Sequence, residues 1–481
     1  MSSTYFIFLK TIYENSYLKL TVFNSNIFQL LHTHKKQKPS IMKKRLLTAA
    51  ALVVGSLAFA QVTPIVFEKY TLPNGLKVIL HQDKSAPVVA VSVLYHVGSK
   101  NEDTARTGFA HFFEHLLFEG TENIKRGDFD KYTSNAGGYN NANTTQDRTY
   151  YFELFPSNQV QLGLWLESER MLHAKIEDIG VNTQREVVKE EKRQRIDNQP
   201  YGTLVTEIFK RAFKVHPYRW MPIGSMDHLN KAQLPEFIQF YKTFYVPENA
   251  VLSIAGDIDI PQLKQQINAY FGSIPKGGKP IPRPNVVEPA LGGEVRDVIE
   301  DNIQLPAVVQ AYRAPKQGTS EYYAFSVLST ILSGGESSRM NKAIVDEKQQ
   351  AVAVGAIPLS LEDASLFITY GIANGGVKPE DLEQSIDSLI DAVKTNLVGD
   401  KEFQKVKNQL TSEFVTRNAT MAGIAESLAN YEVYFGDANL INTELSKYTS
   451  VTKEDLLNVA KKYLNKDNRV VLYYVPKGTK K

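Results

Sequence analysis

The chain has 481 residues, 55 Lys and Arg against 52 Asp and Glu for a formal charge of +3, and no cysteine. Without cysteine there is no disulfide framework, thiolate metal site, iron–sulfur cluster or cysteine nucleophile, so any metal must rest on histidines and carboxylates. A near-neutral charge gives no support for a nucleic-acid or polyanion binder, and the length suggests about two to four domains.

Residues 1–41 mix aromatic, Asn and Lys residues without periodicity and are read as an over-extended start, not part of the native protein. Residues 42–60, MKKRLLTAAALVVGSLAFA, place Lys43, Lys44 and Arg45 before an apolar run from Leu46 to Leu57 and an Ala58-Phe59-Ala60 cleavage signal. That order is a secretory signal peptide. The run falls short of the roughly 20 residues of a membrane span, so the expectation is a periplasmic protein, or a secreted one, with no stable membrane insertion. Residues 1–60 hold eight Lys/Arg and one Asp/Glu, leaving 47 against 51, a charge of −4, on the remainder.

Next, YTLPNGLKV (70–78) reads as a hairpin around Asn-Gly, Val88–Val97 as an apolar strand and Gly108–Glu119 as a helix. Tyr139 to Phe155 reads as an edge strand, with RTYYFELF (148–155) as a strand within it, followed by a long helix over 157–172 and a polar one over about 180–196. The segment 274–291, IPKGGKPIPRPNVVEPAL, is too rich in Pro and Gly for a helix or a central strand. It separates residues 62–273 from residues 292–481 as a linker. A repeat crosses it. APVVAVSVLYHVGS from 86 and LPAVVQAYRAP from 305 lie 219 apart, as do VLSIAGD from 251 and VVLYYVP from 470. One offset kept at both ends is the mark of a duplicated domain. With hairpins grouped, helices between them and no βαβ alternation, the predicted class is α+β: two homologous domains, each a mostly antiparallel sheet with helices packed on one face.

The chemistry concentrates in GFAHFFEHLLFEG. His111, Glu114 and His115 stand at i, i+3 and i+4 and share one helix face, with Cβ atoms about 5–6 Å apart. Two imidazoles at that spacing can share a zinc ion, and the Glu can reach a water on the metal. Phe112, Phe113, Leu116 and Leu117 seat the helix in a core. H-x-x-E-H is the inverted zinc-peptidase signature; the blander reading is a helix with one capping and one core histidine. A catalytic zinc needs a third protein ligand, and with no His soon after, a carboxylate from another helix is expected. In NTQREVVKEEKRQ, Glu186, Glu190 and Glu191 compete. By themselves these acids are equally a solvated helix face paired with Lys and Arg.

HFFEH followed by Glu191, 76 residues after His115, resembles the pitrilysin/insulinase family of inverted-motif zinc peptidases. So do LPNGLKV (72–78), GG-x-x-NA-x-T at Gly137 to Thr144, AGD at 255–257 and GGESSR at 334–339. The family pattern E-R-x-x-V-x-x-E, laid on Gln184 to Glu191, implies Glu191 as the third ligand, with Glu190 one residue away as the alternative. The resemblance implies one Zn²⁺ per chain and a zinc metalloendopeptidase that hydrolyses peptides or unfolded polypeptides, with Glu114 as general base toward a zinc-activated water. It also places Asn141 and Ala142 on a strand that binds an extended peptide by β-augmentation.

Two positions depart from the family. Gln184 stands where its pattern begins with Glu, which softens the electrostatics around the ligands. After Ser337-Ser338-Arg339-Met340, the Arg and Tyr that grip substrate would fall at Val345 and Val352. Their absence resembles the zinc-bearing subunit of the two-subunit branch and implies a homologous partner that supplies the pair. The alternative is a peptide-binding or scaffold subunit with little activity of its own, against which the intact H-x-x-E-H speaks.

Overall fold

The computed structural model describes residues 63–478; the signal-peptide reading of 42–60 and the segment 1–41 lie outside them. The first sheet comprises β1 (Glu68–Thr71), β2 (Lys77–Gln82), β3 (Val88–Tyr95), β4 (Tyr139–Thr144), β5 (Thr149–Pro156) and β6 (Ala250–Gly256), in the order β1-β2-β6-β3-β5-β4. β1 and β2 form the hairpin read around Asn-Gly, with Thr71 opposite Lys77. Its loop is held from outside, since the Asn74 amide donates to the carbonyls of Phe271 (2.7 Å) and Ile274 (3.0 Å).

Tyr139 to Phe155 is not one edge strand. It turns at Thr145–Arg148, where Thr145 N donates to Arg148 O and the Thr145 hydroxyl accepts from the amides of Asp147 and Arg148. Only β4 is the edge; β5 lies inside, between β4 and β3. A second difference is a parallel pairing. β6 returns after a long helical excursion and inserts between β2 and β3, parallel to β2 and antiparallel to β3.

The second sheet repeats this plan with β7 (Val295–Asp301), β8 (Ala307–Ala314), β9 (Ala351–Leu359), β10 (Ser365–Ala373) and β11 (Arg469–Pro476), in the order β7-β11-β8-β10-β9. Its one parallel pair is β7 with β11, and the other pairings are antiparallel. β8 starts 219 residues after β3, and β11 219 after β6. The architecture is therefore α+β and duplicated.

Each sheet carries its own half's helices on one face, where Val89, Val91, Val93 and Tyr95 of β3 meet Phe112, Leu164 and Phe237 in the first core. The opposite face is not open. Helix Met421–Phe435 of the C-terminal half lays Ile424, Leu428 and Ala429 on Ile79, Ala90, Leu94 and Val251 of the first sheet. Helix Leu204–Ala212 reciprocates, packing Leu204, Ile208 and Phe209 with Val309, Ile368 and Leu472 of the second. A sheet buried on both faces needs apolar residues at consecutive positions, which is why β3 and β6 read as continuous runs and not as alternating ones.

A polar clamp joins the halves beside these cores. Lys100, 3% exposed, binds Asp147 (3.0 Å) from the β4–β5 turn and Glu362 (2.7 Å) and Asp363 (3.0 Å) from the β9–β10 turn. Tyr218 donates to Asp147 at 2.5 Å, and His96 Nε2 lies 2.7 Å from Glu362. Removing one partner strands a buried charge. Lys100→Met is expected to cost about 3–5 kcal/mol, read as a shift in the urea midpoint at unchanged slope.

Candidate active site

The motif occupies helix Phe109–Leu116, which starts where two chain segments nearly touch. Gly108 adopts φ +102°, and a Cβ on Gly224 would lie 2.3 Å from the Gly108 backbone, so the 221–224 loop can cross the helix start only with glycine there. Two buried amides of that first turn with no partner inside the helix are taken by Glu102, which accepts from Gly108 N (2.9 Å) and Ala110 N (2.8 Å), while Trp220 Nε1 donates to it at 3.1 Å. Burial pushes the Glu102 carboxyl up to about 8 against these three donors. Glu102 leaves no signal in the sequence, because a cap eight residues before its amide makes no local S-x-x-E pattern. Glu102→Ala is expected to cost about 2 kcal/mol, seen as a lower denaturation midpoint.

Behind the helix, Phe109 stacks on Phe237 with centroids 4.6 Å apart, Phe113 on Phe240 at 5.5 Å, and the Tyr151 hydroxyl donates to Phe113 O at 2.9 Å. This packing fixes the direction of the three polar side chains. The His111 and His115 rings lie nearly perpendicular, 78° apart with centroids at 4.8 Å, and Glu114 is buried on the same short helix.

Helix Asp178–Lys192 packs alongside, turning Val181, Val188 and Glu191 inward. Glu191 Oε2 lies 3.1 Å from His115 Nε2 and 3.5 Å from His111 Nε2. The competing acids point away: Glu190 pairs with Arg193 and Gln194, and Glu186 with Lys189, both in solvent. Among the described residues, His111, His115 and Glu191 are the one cluster of three such groups, with ligand atoms all within 4.8 Å of one another.

The donor set fits a tetrahedral zinc. Zinc–ligand bonds of about 2.0–2.2 Å place neighbouring ligand atoms about 3.3 Å apart, between the two separations found. His111 is 1% exposed, yet neither ring nitrogen has a hydrogen-bond partner, and a metal bond at Nε2 would satisfy one of the two. Burial, helped by the nearby His115, lowers His111 to about 4 and so keeps its imidazole neutral, the form that ligates. For Glu191 burial acts upward, but the hydrogen bond from His115 and the charges of His111, His115 and Arg195 prevail and hold the carboxyl near 2.

Gln184 does not reach the ligands through a hydrogen bond; its amide donates to Glu119. Asn141 is exposed on β4, with Nδ2 donating to the Tyr139 hydroxyl (2.8 Å) and Oδ1 accepting from Ala142 N (2.8 Å). Ala142 is half-buried and turned toward the first core. Val345 packs against the second core, and Val352 lies exposed on β9, the strand that holds in the second sheet the place of β4 in the first. A cavity of about 360 Å³ opens between the halves, with His111, Ile223 and Phe209 among its walls on one side and Leu361, Tyr322 and Tyr434 on the other.

A duplicated α+β chain with an H-x-x-E-H helix facing a glutamate has the construction of an inverted-motif metallopeptidase. Residues 77–219 match the family profile described as Insulinase (Peptidase family M16), and residues 231–410 match the one described as Peptidase M16 inactive domain. The zinc protease PqqE of Helicobacter pylori is 31% identical over 439 residues, covering 90% of this chain and 99% of its own. A probable mitochondrial-processing peptidase subunit beta of Arabidopsis thaliana is 24% identical over 404 residues, covering 82% and 75%. The crystal structure of a protease from Helicobacter pylori matches with a TM-score of 0.82 at 31% identity, over 85% of this chain and all of that one. The chain belongs to peptidase family M16, the pitrilysin/insulinase family.

Proposed function

We propose that the chain is a zinc metalloendopeptidase that hydrolyses peptides or unfolded polypeptides, with one Zn²⁺ held by His111, His115 and Glu191. The observation that carries this reading is the convergence of three ligand atoms, Glu191 Oε2 at 3.1 and 3.5 Å from the two imidazoles and all within 4.8 Å of one another, around a buried histidine whose nitrogens are otherwise unbonded. Bound there, zinc supplies a Lewis acid that acidifies water and polarises a scissile carbonyl. Glu114 takes the proton of the attacking water and returns it to the leaving amine. Its place on the ligand helix, capped by Glu102 and seated on the Phe237–Phe240 aromatics, fixes it relative to both histidines. β4, the sheet edge carrying Asn141 and Ala142, offers backbone groups to an extended peptide.

Zinc analysis with a quenched fluorogenic peptide tests the reading. One zinc per chain and cleavage that is lost on chelation and restored by zinc are expected; a metal-free chain or chelator-insensitive cleavage overturns it. The apolar side chains at Val345 and Val352 support a further part of the proposal, a homologous partner subunit that contributes the missing Arg and Tyr. Full activity of the purified chain as a monomer would exclude that partner. The proposed site of action is the periplasm, from the 42–60 signal; among the described residues no helix is long and apolar enough to cross a membrane.

A further inference from the structure

The stretch from Lys189 to Arg195 carries four basic residues, and each takes a different acid. Lys189 pairs with Glu186 (2.7 Å), Lys192 with Asp197 (2.5 Å), Arg193 with Glu190 (2.5 Å) and Arg195 with Glu191 (2.6 Å). Three of these join partly or fully exposed side chains and take acids other than Glu191. The fourth divides the Glu191 carboxylate between two neighbours. Oε1 accepts from Arg195 Nη1, while Oε2 turns toward His115 and His111. The backbone serves the same contact, since the helix widens into a π-turn over Arg193–Asp197, closed by Asn198 N donating to Arg193 O at 2.9 Å. Such widened turns occur frequently at functional sites, and this one carries Arg195 beside the carboxylate.

We infer that Arg195 is a positioning residue for the metal: its guanidinium occupies Glu191 Oε1 and so presents Oε2 alone to the ion. The inference rests on the zinc reading above. A carboxylate with both oxygens free can rotate or ligate through either one. Tied through Oε1, it keeps the single-oxygen posture that suits a tetrahedral site with an open fourth position. Arg195 itself is 45% exposed, so its removal takes little from the core.

The test follows zinc, not turnover. Zinc-loaded full-length protein is mixed with excess chromophoric chelator, and the release rate and the competition affinity are measured for the parent, Arg195→Ala, Arg195→Lys and Arg193→Ala, alongside melting of the metal-free proteins. The expected result is about tenfold faster release and weaker binding for Arg195→Ala, the low end of the range for groups that hold a ligand. Arg195→Lys, which keeps the charge and a donor, falls between, and Arg193→Ala and all the metal-free melting curves match the parent. Arg195→Gln, a donor without charge, takes the place of the alanine variant should that one not fold. Equal release from the zinc-loaded parent and Arg195→Ala, or an equal effect from Arg193→Ala, overturns this inference alone. A parent that takes up no stoichiometric zinc overturns the zinc reading and this inference together.

Discussion

Replacing Glu114 with Gln is expected to abolish peptide cleavage while leaving the zinc in place. The amide has the shape of the carboxylate and fits the same buried position on the helix that carries His111 and His115, but it cannot accept the proton of the attacking water. General-base contributions are about 10²- to 10⁴-fold, or about 2.7–5.5 kcal/mol of barrier. The loss falls on kcat, because the residue acts on the reacting water and not on the bound peptide. Zinc stoichiometry of the variant, measured beside kcat/KM, separates chemistry from collapse of the site. Cleavage at the parental rate by a zinc-replete Glu114→Gln protein would remove Glu114 from the mechanism.

Glu191→Ala is the second large effect, and its control is one residue away. Glu191 is the charged member of the proposed ligand set, with Oε2 at 3.1 and 3.5 Å from the two imidazoles. Its removal leaves two neutral ligands for a divalent ion, and the expected loss of zinc affinity exceeds the roughly 10–100-fold seen when only the support of a ligand is removed. Glu190→Ala deletes an exposed partner of Arg193 and Gln194 and is expected to keep its zinc. Metal content after dialysis reads both. Zinc retained by Glu191→Ala and lost by Glu190→Ala would move the third ligand to Glu190.

The spacing of His111, Glu114 and His115 carries its own geometry, because i, i+3 and i+4 share a helix face whatever surrounds the helix. The proposed third ligand lies on another helix, and the rotation of helix Asp178–Lys192 about its axis decides which acid faces the histidines. Val181 and Val188, buried against the first core, set that rotation. The E-R-x-x-V-x-x-E resemblance reached Glu191 without it; residue chemistry alone left Glu186, Glu190 and Glu191 equal. Glu102 and Arg195 were invisible for a related reason. Glu102 acts across a loop and leaves no fixed spacing to recognise, while Arg195 stands four residues after Glu191 and is set apart only by the direction in which Glu191 faces.

The strand pattern divides in the same way. The 219-residue offset located β3 with β8 and β6 with β11, since a duplicated core keeps its buried strands in register. It carried no sign of the parallel β2–β6 and β7–β11 pairings, because strand order depends on where a distant segment returns. Nor did it show that helices Met421–Phe435 and Leu204–Ala212 each cover the other half's sheet. The continuous apolar runs announced burial on both faces without naming what lay on the second. Local periodicity settles which residues share a face, and so the motif, the hairpin and the duplication were legible in the chain. The partner of each face, the third ligand and the clamp on Lys100 follow from long-range packing, in which groups hundreds of residues apart compete for the same buried space.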